Sequence, residues 1–170
     1  MYNDRPIDRK TILTILENGN WAPNHKKTEP WRFKIYQGES LKYLSKYMGN
    51  YYTENTPPEK YSEIKYKKTI EKSLKSACVI ALCLFDDPHI TIPKWEQRAA
   101  LACAVQNMWL TCTSLGIGSY WSSPKSIINA DEFLGLSEYE ECLGLFYMGY
   151  TDITELPAKR GPIEDKIDWR

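Results

Sequence analysis

The chain has 170 residues and balances 22 Lys+Arg against 22 Asp+Glu, so its formal net charge is zero. Hydrophobic residues at 42% and charged residues at 26% are ordinary globular values, which exclude a disordered or fibrous polypeptide. With no basic excess to hold phosphates, a sequence-wide binder of nucleic acid or of an anionic membrane is excluded too.

The length predicts one domain over 1–170. No run of 18 apolar residues occurs, so no membrane-spanning helix is expected. The polar start Met1-Tyr2-Asn3-Asp4-Arg5-Pro6 lacks an apolar signal region, and a cytoplasmic protein is expected. The cysteines (Cys78, Cys83, Cys103, Cys112, Cys142) are odd in number and form no C-x-x-C pair, which reads as reduced core residues. His25 and His89 show no ligand spacing, so no metal site is expected. Six Trp and twelve Tyr are many for this length. They suit a core rich in large rings, a planar ligand or a large subunit interface, and composition leaves these open.

In chain order, Asp8 reads as a helix N-cap, Ile12, Leu13, Ile15 and Leu16 as an apolar face, and Gly19 as a stop. Residues 21–30 read as a loop. Residues 31–36 alternate apolar and charged, the pattern of a half-buried strand. Gly38 turns the chain into a short amphipathic helix over 39–48. Residues 49–58, polar and aromatic with Pro57-Pro58, read as a mobile loop. Residues 59–75 form a lysine-rich helix whose charges read as a solvated face. The apolar run 77–85 is a buried central strand. Residues 95–115 form a long helix, apolar nearly all round from Ala99 to Trp109 and therefore buried in a core or an interface. Gly116 closes it. A strand over 117–121, a helical turn over 131–135 and a strand over 142–150 follow. The last twenty residues, 151–170, read as an extended arm. This order is α+β, and neither a G-x-G-x-x-G motif after a strand, nor a P-loop, nor a G-x-S-x-G elbow is present.

Three blocks carry a resemblance. The first is Trp21-Ala22-Pro23-Asn24-His25-Lys26-Lys27-Thr28-Glu29-Pro30-Trp31-Arg32-Phe33. The second is Pro93-Lys94-Trp95-Glu96-Gln97 before the alanine-rich helix, with Gly116-Ile117-Gly118-Ser119-Tyr120-Trp121 after it. The third is Gly144-Leu145-Phe146-Tyr147-Met148-Gly149-Tyr150, followed by Lys159-Arg160-Gly161-Pro162. Together, and in this order, they resemble the FMN-dependent nitroreductase family, in particular its short single-domain members.

The resemblance implies an α+β sandwich around a mainly antiparallel sheet and a homodimer packed through long central helices. It also implies a swapped C-terminal arm and FMN at the subunit interface. The implied activity is hydride transfer from NAD(P)H through FMN to nitroaromatics, quinones or similar acceptors, in ping-pong order. The flavin carries the chemistry, so no catalytic side chain is expected. The alternative is a flavin or small-ligand binding dimer with little turnover.

By position, Trp21 and His25 match family residues that contact FMN, some of them from the partner subunit. Lys27 stands where many relatives have Asn, and a lysine there would favour a reduced flavin anion. Trp121, Ser122 and Ser123 match the segment beside the flavin ring, offering backbone N–H groups to it. Arg160, assisted by Lys159, matches a phosphate-binding arginine. The family's usual Arg-Arg-Ser segment lies upstream of the first residue of this sequence, and Arg5 and Arg9 are not equivalent to it. Either the chain is shortened, or Arg160, Lys159 and His25 carry the phosphate.

Overall fold

The computed structural model describes residues 2–152 and 159–170. Four strands, β1 (Trp31–Tyr36), β2 (Cys78–Phe85), β3 (Ile117–Ser122) and β4 (Glu140–Tyr150), form one sheet in the order β1-β2-β4-β3, every neighbouring pair antiparallel. The helices are α1 (Arg9–Asn20), α2 (Glu39–Asn55), α3 (Glu63–Leu74), α4 (Lys94–Ser114), α5 (Lys125–Ile128) and α6 (Asp131–Leu134).

Alternation along β2 divides the helices between two layers. Cys78, Ile80, Leu82 and Leu84 join the core made with α1 and α4. Val79, Ala81 and Cys83 join the core made with α2, α5 and α6. A strand covered on both faces has no polar side, which is why its sequence is a continuous apolar run.

Local chemistry sets the boundaries. Asp8 caps α1 by accepting from the Thr11 N–H at 2.9 Å and from its hydroxyl at 2.8 Å, and these bonds hold its carboxyl below the usual carboxylate range. The helix runs on through Gly19 to Asn20. The largest departure from expectation is α2, which continues to Asn55 where the sequence suggests a mobile loop over 49–58. Gly49 is no stop: it is buried where α3 crosses, and a Cβ there would lie 2.8 Å from Ile70 Cγ2. The chain leaves helical geometry at Thr56, turns through Pro58–Lys60, and starts α3 at Glu63 with Ser62 as N-cap, later than expected. At β4 the strand starts earlier than its apolar run, because Glu140 and Glu141 pair with Phe85 and Leu84 and Arg98 binds Glu141.

The start of the chain closes against the end of β4. Asn3 N–H donates to the Tyr150 carbonyl at 2.8 Å, and Asn3 Nδ2 to Asp152 Oδ1 at 3.0 Å. Tyr2 lies against Gly149, where a Cβ would meet its ring atoms, and its hydroxyl donates to the Tyr147 carbonyl at 3.2 Å.

The long helix is buried on one side within the single chain. Its sheet-facing side buries Leu101, Ala104, Val105, Met108 and Cys112. Its other side is open in the single chain: Ala99, Ala102, Cys103 and Gln106 are exposed, with Trp95 69% and Leu110 60% accessible. Cys103 is thus a surface cysteine, while the other four are buried. Of the expected arm 151–170, residues 153–158 lie outside the described residues; residues 159–170 are exposed and make one 3₁₀ turn at Glu164–Lys166.

Candidate functional site

The residues singled out in the sequence fall into three places. Trp21, His25 and Lys27 lie in the connection from α1 to β1, at one edge of the sheet. Trp121, Ser122 and Ser123 lie at the end of β3, the opposite edge. Lys159 and Arg160 follow residues 153–158 in the chain and are exposed, and among the described residues Arg160 Nη1 donates to the Lys159 carbonyl. The single chain therefore does not bring the three groups together. The registers do put the first two at the same end of the sheet: Trp31 pairs with Leu84, and Ser122 pairs with Leu145, itself opposite Ala81.

The first group sits in a strained loop. Lys26, Lys27 and Glu29 have φ of 53°, 54° and 43°, a region that side chains with a Cβ seldom occupy. The loop is held by its own polar groups. Asn24 Oδ1 accepts from Glu29 N–H at 3.0 Å, Asn24 Nδ2 donates to the Ala22 carbonyl at 3.2 Å, and the Thr28 hydroxyl donates to the His25 carbonyl at 3.2 Å. Two long contacts tie it to the approach to α4: Lys26 Nζ donates to the Thr91 carbonyl at 3.2 Å, and His25 Nδ1 meets Glu96 Oε2 at 2.6 Å. With Nδ1–H held by Glu96, Nε2 is left for a ligand, as an acceptor in the neutral ring and a donor in the charged one. Trp21 is the C-cap of α1, is 79% accessible, and donates Nε1 to Glu17 at 3.2 Å.

The second group is built on a β-bulge. Leu82 pairs with Gly144 and Cys83 with Cys142, so Leu143 is an extra residue in β4. Trp121 Nε1 donates to the Leu143 carbonyl at 3.0 Å. Gly144 has φ 134°, and a Cβ there would lie 2.5 Å from the Ser122 carbonyl oxygen and 2.6 Å from Trp121 Nε1. Only glycine lets β3 end where it does.

Beside Ser122 opens a groove of about 230 Å³. Tyr51, Tyr52 and Asn55 line it from α2, Thr69 and Lys72 from α3, and Ser122, Pro124, Lys125 and Ser126 from the β3–α5 connection, with buried Met48 and Tyr147 behind. Aromatic rings, hydroxyls, an amide and two cations suit a flat ligand with a polar, electron-accepting edge. Sequence reasoning missed Lys72, because it reads as one charge among many on a solvated helix. The extension of α2 past Gly49 is what brings Tyr51, Tyr52 and Asn55 to the same groove. A larger cleft of about 590 Å³ lies between residues 84–94 and 138–141, but Asp86, Asp87, Glu138, Glu140 and Glu141 give it an acidic wall that repels a phosphate. Among the described residues, no group of three or more His, Cys, Asp or Glu side chains is placed to hold a metal ion, and no helix is long and apolar enough to cross a membrane.

A helix-covered antiparallel sheet with this groove defines an α+β sandwich, and comparison with known proteins places it. The model of the Nitroreductase family matches residues 1–150, and the chain belongs to that family. A Bacillus subtilis (strain 168) protein named "Putative NAD(P)H nitroreductase YfhC" is 26% identical over 168 residues, covering 98% of this chain and 86% of the relative. The Escherichia coli (strain K12) protein named "Putative NAD(P)H nitroreductase YdjA" is 25% identical over 141 residues, 81% and 74% of the two chains. Among solved structures, a nitroreductase-like family protein from Bacillus cereus superposes with a TM-score of 0.82 at 27% identity, covering 100% of this chain and 89% of that one. A Desulfovibrio desulfuricans protein described as "a putative nitroreductase in complex with fmn" shares the fold at a TM-score of 0.74 and 19% identity, covering 99% of this chain and 88% of that one.

Proposed function

We propose that this chain, over 1–170, is one domain of a homodimeric FMN-dependent oxidoreductase. In this reading it passes hydride from NAD(P)H to nitroaromatic, quinone or similar acceptors in ping-pong order. The observation that carries the reading is the groove at Ser122, with Lys72 and two tyrosines in its wall. FMN, when bound, supplies the hydride relay. The donor set fits it: Lys72 provides a positive charge for the pyrimidine edge, where reduction builds negative charge, and the segment Trp121–Ser123 offers backbone N–H groups.

At about 230 Å³ the groove is below the roughly 300–1,000 Å³ of a complete small-molecule site. A second copy supplies the missing wall. In this arrangement the exposed stripe of α4, with Trp95, Ala99, Ala102, Cys103 and Leu110, packs on its counterpart. The loop carrying Trp21, His25 and Lys27 then approaches the partner's groove, and the exposed residues 159–170 bring Lys159 and Arg160 toward the phosphate. Cys103 lies at the middle of α4, so a two-fold pairing through this stripe brings two Cys103 side chains close.

The test is spectroscopic. The protein is mixed with FMN, gel-filtered, and titrated anaerobically with NADH or NADPH. Retained flavin absorbance that bleaches supports the reductase. Flavin retained but not bleached by either nucleotide returns the protein to the binding-only alternative. Protein that elutes as a flavin-free monomer at micromolar concentration removes the reading altogether.

A further inference from the structure

Cys83 and Cys142 play no part in the chemistry above, yet they are direct partners across β2 and β4 at the bulge. Directly opposed residues of an antiparallel pair have Cα atoms about 4.5–5.5 Å apart, inside the roughly 4.4–6.8 Å that a disulfide spans. Both thiols are free, and both are buried. The Cys142 thiol donates to the Gly144 carbonyl at 3.5 Å. The two thiols also act on each other: the neighbouring Cys83 favours the thiolate of Cys142, while Cys142 and burial push Cys83 the other way.

The surroundings set this pair apart from the other cysteines. Arg32 is the β1 register partner of Cys83, and the charge of Lys34 reaches both thiols, opposed by Glu140 at Cys83 and by Asp131 at Cys142. Cations beside a sulfur favour its reactive form. The bulge interrupts the β2–β4 ladder beside Cys142, so the strand is easiest to open there. By contrast, Cys78 and Cys112 belong to the α1–α4 core, where Cys112 faces the Met148 thioether at 3.6 Å, and burial pushes their thiols up to about 12 and about 11. Cys103 stands exposed on α4, away from the sheet.

We propose that Cys83 and Cys142 form a dithiol modification site that closes reversibly to an intrachain disulfide, with a peroxide as the oxidant. One sulfur attacks the O–O bond of hydrogen peroxide, giving a sulfenic acid and one water. The second sulfur then attacks the first, the S–S bond forms, and the sulfenic oxygen leaves as a second water. Two thiols have then lost two electrons and two protons, and the peroxide has gained them. A small dithiol reverses the closure by exchange. The site needs neither flavin nor acceptor, so it stands apart from the reductase reading.

The test uses the full chain. It is treated with a few equivalents of hydrogen peroxide, denatured, alkylated and digested without reductant. The expected result is a Cys83–Cys142 linked peptide, lighter by two hydrogens than the sum of its parts and lost on adding dithiothreitol. The Cys103→Ser variant gives the same linked peptide. Recovery of Cys83 and Cys142 as alkylated thiols while Cys103 is oxidised overturns the proposal. So does sulfinic acid at either residue without a link. In Cys83→Ser, Cys142 is expected to pass on to sulfinic acid; should that variant not fold, the wild-type map decides alone.

Discussion

At the β1 edge of the sheet, residues 24–29 hold three non-glycine residues at positive φ, while at the β3 edge no residue from Tyr120 to Ser126 does. The first edge offers side chains on a strained loop tied down by Asn24 and Thr28. The second offers backbone and a groove, fixed by one glycine in the neighbouring strand. Strain of this kind persists only where the surroundings over-determine it, and it concentrates where geometry serves a ligand. The contrast teaches that the site proposed above would be built from two half-sites of different character. In the proposed dimer the exposed stripe of α4 is what joins them, since the two groups stand at opposite edges of one sheet.

The comparison breaks most visibly at that stripe. Leu110→Asp places a charge on a surface already 60% accessible, so the monomer keeps its fold. Buried in a two-fold interface, each unpaired charge costs about 3–5 kcal/mol. Light scattering is expected to show loss of the dimer together with loss of flavin retention, and a dimer that survives with flavin bound would remove α4 from the interface.

At the groove, Lys72→Ala deletes one charge-assisted contact, worth about 1.5–3 kcal/mol. By the usual conversion this is about ten- to a hundred-fold. It is expected in weaker binding of reduced flavin and a more negative midpoint potential, with little change in melting temperature. An unchanged potential would place Lys72 outside the site.

The loop responds in the opposite sense. Lys27→Gly relieves a left-handed residue, and the fold is expected to gain about 1 kcal/mol in urea denaturation. Flavin retention falls at the same time, because a cation and a fixed geometry are lost. A variant that gains stability and keeps full flavin affinity would mark the strain as idle.

The smallest effect is expected at Tyr36, the last residue of β1, whose hydroxyl burial pushes up to about 12. A raised native value means that its neutral form stabilises the fold fully below about pH 10 and progressively less as pH rises toward about 12. Tyr36→Phe is expected to flatten the alkaline limb of the stability profile and to leave neutral pH unchanged.

Much of this architecture is legible in the sequence. The strand of residues 31–36, the apolar run of β2 and the long helix announce themselves by period and length, and Asp8 by its capping chemistry. Where the reading failed, a residue had two possible physical roles. Gly49 reads as a helix stop, but it is the close-packing point of α2 on α3, which only a second helix reveals. The all-round apolar character of α4 states that both faces are sticky without stating which one meets its own sheet. Lys72 is indistinguishable by composition from the solvated lysines around it, and only the folded path of α2 and α3 turns it toward Ser122. Motif likeness supplied Trp21, His25, Lys27 and the 121–123 segment, yet their separation to opposite edges is a fact of strand order that no local pattern encodes.

The seam between Asn3 and residues 150–152 has a consequence for how this polypeptide can be written. The body of the fold from residue 3 to residue 152 is topologically a loop, its ends joined by two hydrogen bonds. The order of its parts along the chain is therefore not what holds them in place. A permuted gene that links 152 back to 3 through a short spacer and opens new ends at the exposed Pro57–Lys60 turn should encode the same body.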